Sequence, residues 1–209
     1  MRLSESLREH TRVAHRDAER TGIVRAMLDG TIVLPQYQLW LRNLHEVYVA
    51  LEVAMIAQPA GTPAAVFADP LLYRAGAIES DLVAMLGASW TTLPILPAAG
   101  AYRDHVRSLG LASGPGLLGH GYVRYLGDLS GGQLLRGLLR DRLGLPPAAL
   151  SYYEFPGIED VPATRNALRE RMDLCPLSSD AVSVVLDEAL AGFRLTMNLA
   201  RDASLAQAG

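Results

Sequence analysis

His120-Gly-Tyr-Val-Arg-Tyr-Leu-Gly-Asp-Leu-Ser-Gly-Gly-Gln133 lies in a segment whose pattern predicts a helix from about Leu117 to Leu143, yet glycines occupy positions 127, 131, 132 and 137. Each interior glycine costs a helix about 1 kcal/mol relative to alanine, so the segment gives up much of its local preference. Gly127 and Gly131 are one turn apart and share a face, which leaves a strip of bare backbone. Two uses fit such a strip. A broad, flat ligand can lie against it, or a second helix can pack closely on it. Asp128 stands beside the strip with Arg124 one turn before it. That pair reads either as a surface bridge or as a polar group organised over a ligand. Ser130, Gly131 and Gly132 are where a kink is expected.

Helical periodicity extends through the rest of the chain. Leu3, Leu7, Thr11, Ala14 and Ala18 recur at helical spacing in a first segment ending near Thr21-Gly22. A short helix over Ile23–Leu28 stops at Asp29-Gly30. Pro35 opens another to about Gln58, with Trp40, Leu44, Val47, Leu51 and Met55 on one face. Gln58 to Ala64 reads as a loop. Asp69-Pro70 predicts a capped start for a helix to about Leu86. Further helices are expected over Pro97–Leu109, Pro162–Leu174 and, capped by Ser178-Ser179, to about Ala203. Gly110 to Gly116 is expected to break the chain, and Pro146 to Pro156 to be irregular or briefly helical. No strand pair or repeat is visible. The expected architecture is all-α, one domain over residues 1–209 with a frayed tail from about 204.

The bulk numbers narrow the function. Half the residues are hydrophobic and 20% charged, the pattern of a globular chain. A net charge of −3 argues against a nucleic-acid scaffold. All basic residues are arginine, so every fixed cationic contact is a planar fork. Cys175 is the only cysteine, which excludes an intrachain disulfide and a thiolate cage. Met1 to Glu9 lacks the apolar core of a signal peptide, and no apolar run reaches membrane-spanning length. A cytoplasmic monomer without a membrane or nucleic-acid partner is expected.

Among five histidines, His15 has the most suggestive neighbours. Glu19 lies one turn on, where a carboxylate fixes the tautomer of a metal-bound imidazole, and Arg8 lies two turns back on the same face. An ordinary pair on a solvated face accounts for His15 and Glu19 equally well. Arg165 and Arg169 also share a face one turn apart, either as an anion grip or as a solvated basic surface. Tyr48 falls on the apolar face with Leu44 and Leu51, so its hydroxyl needs a partner.

The run Tyr125-Leu-Gly-Asp-Leu-Ser-Gly-Gly-Gln133 resembles the distal-helix signature of heme oxygenases, and His15-Arg-Asp-Ala-Glu19 resembles their proximal-histidine context. The resemblance runs from Leu3 to about Leu199. It implies an all-α fold that sandwiches heme b, at once cofactor and substrate, between two helices. Heme would be cleaved by O2 and reductant to biliverdin, carbon monoxide and ferrous iron. It implies His15 as the axial iron ligand with Glu19 behind it. Arg8, Arg165, Arg169 and Tyr122 would lie at the propionates, with Ser130 and Gly132 also against the heme. Asp128, Tyr48 and Arg124 would hold a distal water network beside Gly127 and Gly131. Tyr73 departs from the pattern, because by alignment through Ile78-Glu-Ser-Asp-Leu82 mammalian members carry a histidine there. Relatives imply a ferredoxin or flavodoxin donor with its reductase, and for some a phytochrome as biliverdin acceptor. Two rivals remain at this level: a heme carrier or sensor, and a thiaminase-like helical enzyme using Cys175 as nucleophile.

Overall fold

Leu34–Ile56 forms the longest helix of the first half because Pro35 sits in its first turn and Trp40, Leu44, Val47, Leu51 and Met55 give it a buried face. The computed structural model that shows this describes residues 2–111 and 114–206. In chain order the helices are α1 (Leu3–His10), α2 (Arg12–Glu19), α3 (Gly22–Leu28), α4 (Leu34–Ile56), α5 (Ala75–Leu86), α6 (Pro97–Leu111), α7 (Gly116–Gly121), α8 (Gly127–Leu143), α9 (Val161–Asp173) and α10 (Ser179–Leu205). No strand occurs among the described residues. α4 packs on α5 and α6, and α10 packs on α2, α3, α6 and α7, so the core lies between these two long helices. No single helix among the described residues is long and apolar enough to cross a membrane.

Local chemistry sets the ends. The Asp160 carboxylate accepts from the Ala163 amide at 2.8 Å, ahead of Pro162, and the Ser178 hydroxyl accepts from the Ala181 amide at 3.2 Å. Gly144 closes α8 in the left-handed region at φ 64°.

Several boundaries differ from expectation. The first segment breaks at Thr11, whose hydroxyl donates to the Leu7 carbonyl at 2.7 Å and competes with the helical ladder. Asp69-Pro70 starts only a 3₁₀ turn, Pro70–Leu72, and the α-helix begins at Ala75. The Gln58–Ala64 loop runs into a 3₁₀ turn over Pro63–Phe67. Helix α10 continues through Leu205, so 204 and 205 are not frayed; residues 207–209 lie outside the described residues, as do 112 and 113 within the expected Gly110–Gly116 break.

The glycine-bearing helix is the largest revision. It is α7, then a π-helical turn over Tyr122–Leu126, then α8. The irregularity therefore precedes Gly127, while Ser130 to Gly132 stay regular helix. A π-turn widens and re-phases a helix, a feature that tends to occur at functional sites.

Candidate functional site

The glycines divide at the π-turn. A Cβ on Gly119 would stand 2.6 Å from the Val185 carbonyl oxygen and 2.8 Å from the Ala189 nitrogen, because α7 crosses α10 backbone to backbone there. A Cβ on Gly121 would collide with the Phe67 ring. On Gly127 or Gly131 it would meet nothing within 4 Å, and on Gly132 only the Tyr153 ring at 3.6 Å. Close packing thus explains the glycines before the turn and fails for Gly127 and Gly131. Gly127→Ala should raise the melting temperature, through a helix-propensity gain of about 1 kcal/mol. Gly119→Ala should lower it, at an overpacking cost of about 1–3 kcal/mol. Thermal melts of the two heme-free variants test this division, and a destabilised Gly127→Ala would mean that the strip is covered by protein.

Gly127 opens onto a cleft of about 360 Å³ whose walls include Arg8, Thr11, His15, Tyr122, Ser130 and Arg169. A contiguous recess shares His15, Val123, Gly127 and Phe193 with it and reaches Asp128 and Tyr152. His15, from α2, stays 58% exposed with Nδ1 3.6 Å from Glu19 Oε1, and its edge meets the Phe193 ring at 5.8 Å. At 3.6 Å that carboxylate lies beside Nδ1 but beyond hydrogen-bonding distance. At the outer end, the Tyr122 hydroxyl lies 3.5 Å from the Thr11 hydroxyl, and Arg8 and Arg169 border the cleft. Arg165 does not line it; its guanidinium points at Ser130 Oγ, 3.5 Å away. The two arginines share a helix face, but only the second borders the opening.

The inner end is a closed polar knot. The Tyr48 hydroxyl donates to Asp128 Oδ2, and the Tyr152 hydroxyl donates to Oδ1 at 2.8 Å. Arg124 in turn donates to Tyr48 from Nε at 3.1 Å and Nη2 at 2.9 Å, and to Tyr152 at 3.1 Å. Arg124 is buried and its Nη2 stays 3.9 Å from the Asp128 carboxylate, so the surface-bridge reading is excluded. Burial works against the Arg124 charge, yet the oxygens of Tyr48, Tyr152 and Asp128 raise its pKa well above the ordinary value. Burial likewise raises the Asp128 carboxyl, with Arg124 and the two hydroxyls pulling it partly back. The guanidinium thus polarises two phenols whose protons both point at one carboxylate.

Tyr152 was not legible as a site residue. It sits in a 3₁₀ turn, Ser151–Tyr153, inside the stretch expected to be irregular. Asp81 of α5 holds that turn by accepting from the Ser151 and Tyr152 amides at 2.7 and 2.9 Å. Burial pushes the Asp81 carboxyl up to about 6 despite those donors. The adjacent aromatics Tyr152-Tyr153 in a loop were the available signal, since paired tyrosines in an irregular stretch need a buried home. Tyr73 is not among the residues lining the cleft. Among the described residues no base is hydrogen-bonded to Cys175: its thiol lies against the Arg171 carbonyl, 3.4 Å away, and burial raises its pKa, the reverse of an activated nucleophile.

A half-exposed histidine and an open glycine wall, with arginines at one end and a buried carboxylate at the other, make a pocket suited to a broad, flat ligand that carries negative charge at its outer end. The family comparison agrees, for the heme oxygenase profile matches residues 1–202. Heme oxygenase 1 of the cyanobacterium Synechocystis is 33% identical over 198 residues, covering 94% of this chain and 82% of the relative. Human heme oxygenase 1 is 32% identical, with 94% and 70% covered. The crystal structure of the Synechocystis heme oxygenase-1 in complex with heme superposes with a TM-score of 0.91 at 32% identity, covering 96% of this chain and 91% of that one. The chain belongs to the heme oxygenase family.

Proposed function

We propose that this chain, acting as a single domain, cleaves heme oxidatively to biliverdin, carbon monoxide and ferrous iron with O2 and an external electron donor. One observation carries the reading: a single cleft pairs the His15 imidazole with the open wall at Gly127, and that wall is backed by Asp128 in its tyrosine–arginine knot. The residues fit the group, since the glycine wall is bare and His15 is the one histidine among the described residues that lines the cleft. Heme, when bound, supplies the redox iron and is itself the molecule consumed.

The chain contributes position, exclusion and protons. His15 would hold the heme iron through its imidazole, with Glu19 closing on Nδ1 to fix the ring tautomer. Gly127 and Gly131 keep side chains away from the reacting edge. Val123, Leu126 and Phe193 exclude bulk water from the flat faces. Asp128, held by Tyr48 and Tyr152 and backed by Arg124, keeps lone pairs toward the recess, where they accept from water and position it to deliver protons. Arg8, Arg169 and Tyr122 take the propionate carboxylates at the outer end, where Ser130 also lines the cleft with Arg165 behind it, while Gly132 faces the Tyr153 ring. The electron donor is a ferredoxin or flavodoxin with its reductase, and biliverdin passes to an acceptor of the phytochrome kind. The same reading places the enzyme in the cytoplasm as a monomer.

Hemin added to the purified chain should give a Soret band, which ascorbate then bleaches as biliverdin absorption grows. A stable Soret band under reductant and O2 would instead indicate a carrier or sensor. The arginines set regiochemistry, because arginine–carboxylate pairs are directional. Since Arg8 and Arg169 border the cleft and Arg165 does not, Arg8→Ala/Arg169→Ala should scramble the biliverdin isomers while Arg165→Ala changes them little. Chromatography of the esterified product reads this out. A single α isomer from the double variant would assign orientation to wall packing.

A further inference from the structure

A second cluster of ligating side chains lies outside the cleft, where α6, α7 and α10 meet. Glu188 Oε2 of α10 is 2.7 Å from His105 Nε2 of α6 and 3.1 Å from His120 Nε2 of α7. The three ligating atoms lie within 4.8 Å of one another. His120 is wholly buried, while about a third of the His105 side chain, 34%, faces solvent. The far nitrogen of His120, Nδ1, lies 3.3 Å from the hydroxyl of buried Tyr102.

We propose that His105, His120 and Glu188 form a binding site for a divalent cation of the Zn2+ class, separate from the heme cleft. Two imidazole nitrogens and one carboxylate oxygen are a donor set suited to Zn2+, with water as the fourth ligand. Tetrahedral bonds of about 2.0–2.1 Å place ligand atoms roughly 3.3 Å apart. The observed 2.7 and 3.1 Å contacts reach that spacing by small side-chain rotations. The Tyr102 hydroxyl is placed to accept the Nδ1 proton of His120, which leaves Nε2 as the metal-binding nitrogen. The three residues come from three helices, so the ion clamps α6 and α10 to the start of the glycine-bearing segment.

The test uses the full-length, heme-free chain titrated with Zn2+ against a chromophoric chelator. Cys175→Ser and His15→Ala are combined as a background that removes other candidate donors. One Zn2+ per chain should bind with sub-micromolar affinity and raise the melting temperature in parent and background alike. His105→Ala, at a partly exposed position that does not endanger folding, should weaken binding by about 100-fold or more and abolish the thermal shift. Glu188→Gln should do the same, and Tyr102→Phe should weaken binding by about 10-fold. Co2+ in place of Zn2+ should show visible ligand-field bands that His105→Ala removes. Binding no tighter than roughly 0.1 mM, or affinity unchanged by His105→Ala, overturns the proposal. Neither result bears on heme cleavage, because no measurement involves heme.

Discussion

Replacing His15 by alanine is expected to cut biliverdin formation by on the order of 100-fold or more, while helix content stays unchanged. The half-exposed ring contributes little to the core, so the folding cost should be about 0.5 kcal/mol or less. Its edge contact with Phe193 is the main packing interaction lost. The cavity left behind opens on the cleft, so imidazole in solution should enter it and restore a ligated heme spectrum with part of the activity. None of His10, His45, His105 and His120 lines the cleft, so no neighbouring histidine is placed to substitute. A His15→Ala variant with the parent heme spectrum in the absence of imidazole would show that the ligand comes from elsewhere and that the His15–Glu19 pair is a surface feature.

Loss of the Asp128 carboxylate should be as severe for product and far milder for binding. Asp128→Ala is expected to keep heme affinity within a few-fold, because the carboxylate is assigned no bond to the iron. Biliverdin yield should fall by on the order of 100-fold, the usual scale for removing a group that positions a proton transfer. Oxidation of added phenols should appear in its place, as oxidising equivalents escape to other substrates. The alanine also strands the Tyr48 and Tyr152 protons and leaves Arg124 buried without its counter-charge, at a cost of about 3–5 kcal/mol. Asp128→Asn keeps the shape and one acceptor oxygen, so it separates chemistry from folding: the product change should persist with a much smaller drop in melting temperature. Unchanged biliverdin yield in both variants would sink the role assigned to this carboxylate. Tyr152→Phe should give a weaker version of the same shift, since Tyr48 still holds the other carboxylate oxygen.

The helices were legible because their signals are local. Pro35 at a first turn, Pro162 at the start of α9, the Ser178 cap and the Gly144 terminator each act within one turn of the residue that carries them. Periodicity then told which face is buried, as it did for Trp40 through Met55 on α4. The His15–Glu19 pair, one helical turn long, was likewise readable, as was the Tyr125–Gln133 motif.

What the sequence by itself determined, then, is an all-α chain of the heme oxygenase family with His15 and the glycine run as its chemical landmarks. Tertiary structure decided how those landmarks are used. The π-turn at Tyr122–Leu126 re-phases the helix, and so separates glycines that admit α10 from glycines that face open space. No residue pattern marks that wider turn, because one shifted hydrogen bond leaves the apolar spacing nearly intact. Tyr152 reaches Asp128 from a 3₁₀ turn 24 residues further along the chain, pinned there by Asp81. Arg165 and Arg169 share one helix face, yet the first reaches Ser130 and the second borders the cleft, a difference only the packed structure shows. His105, His120 and Glu188 converge from three helices, the outermost pair separated by 83 positions. Contacts across such distances depend on how helices cross, and crossing geometry is set by the packing of whole faces rather than by any short run of residues.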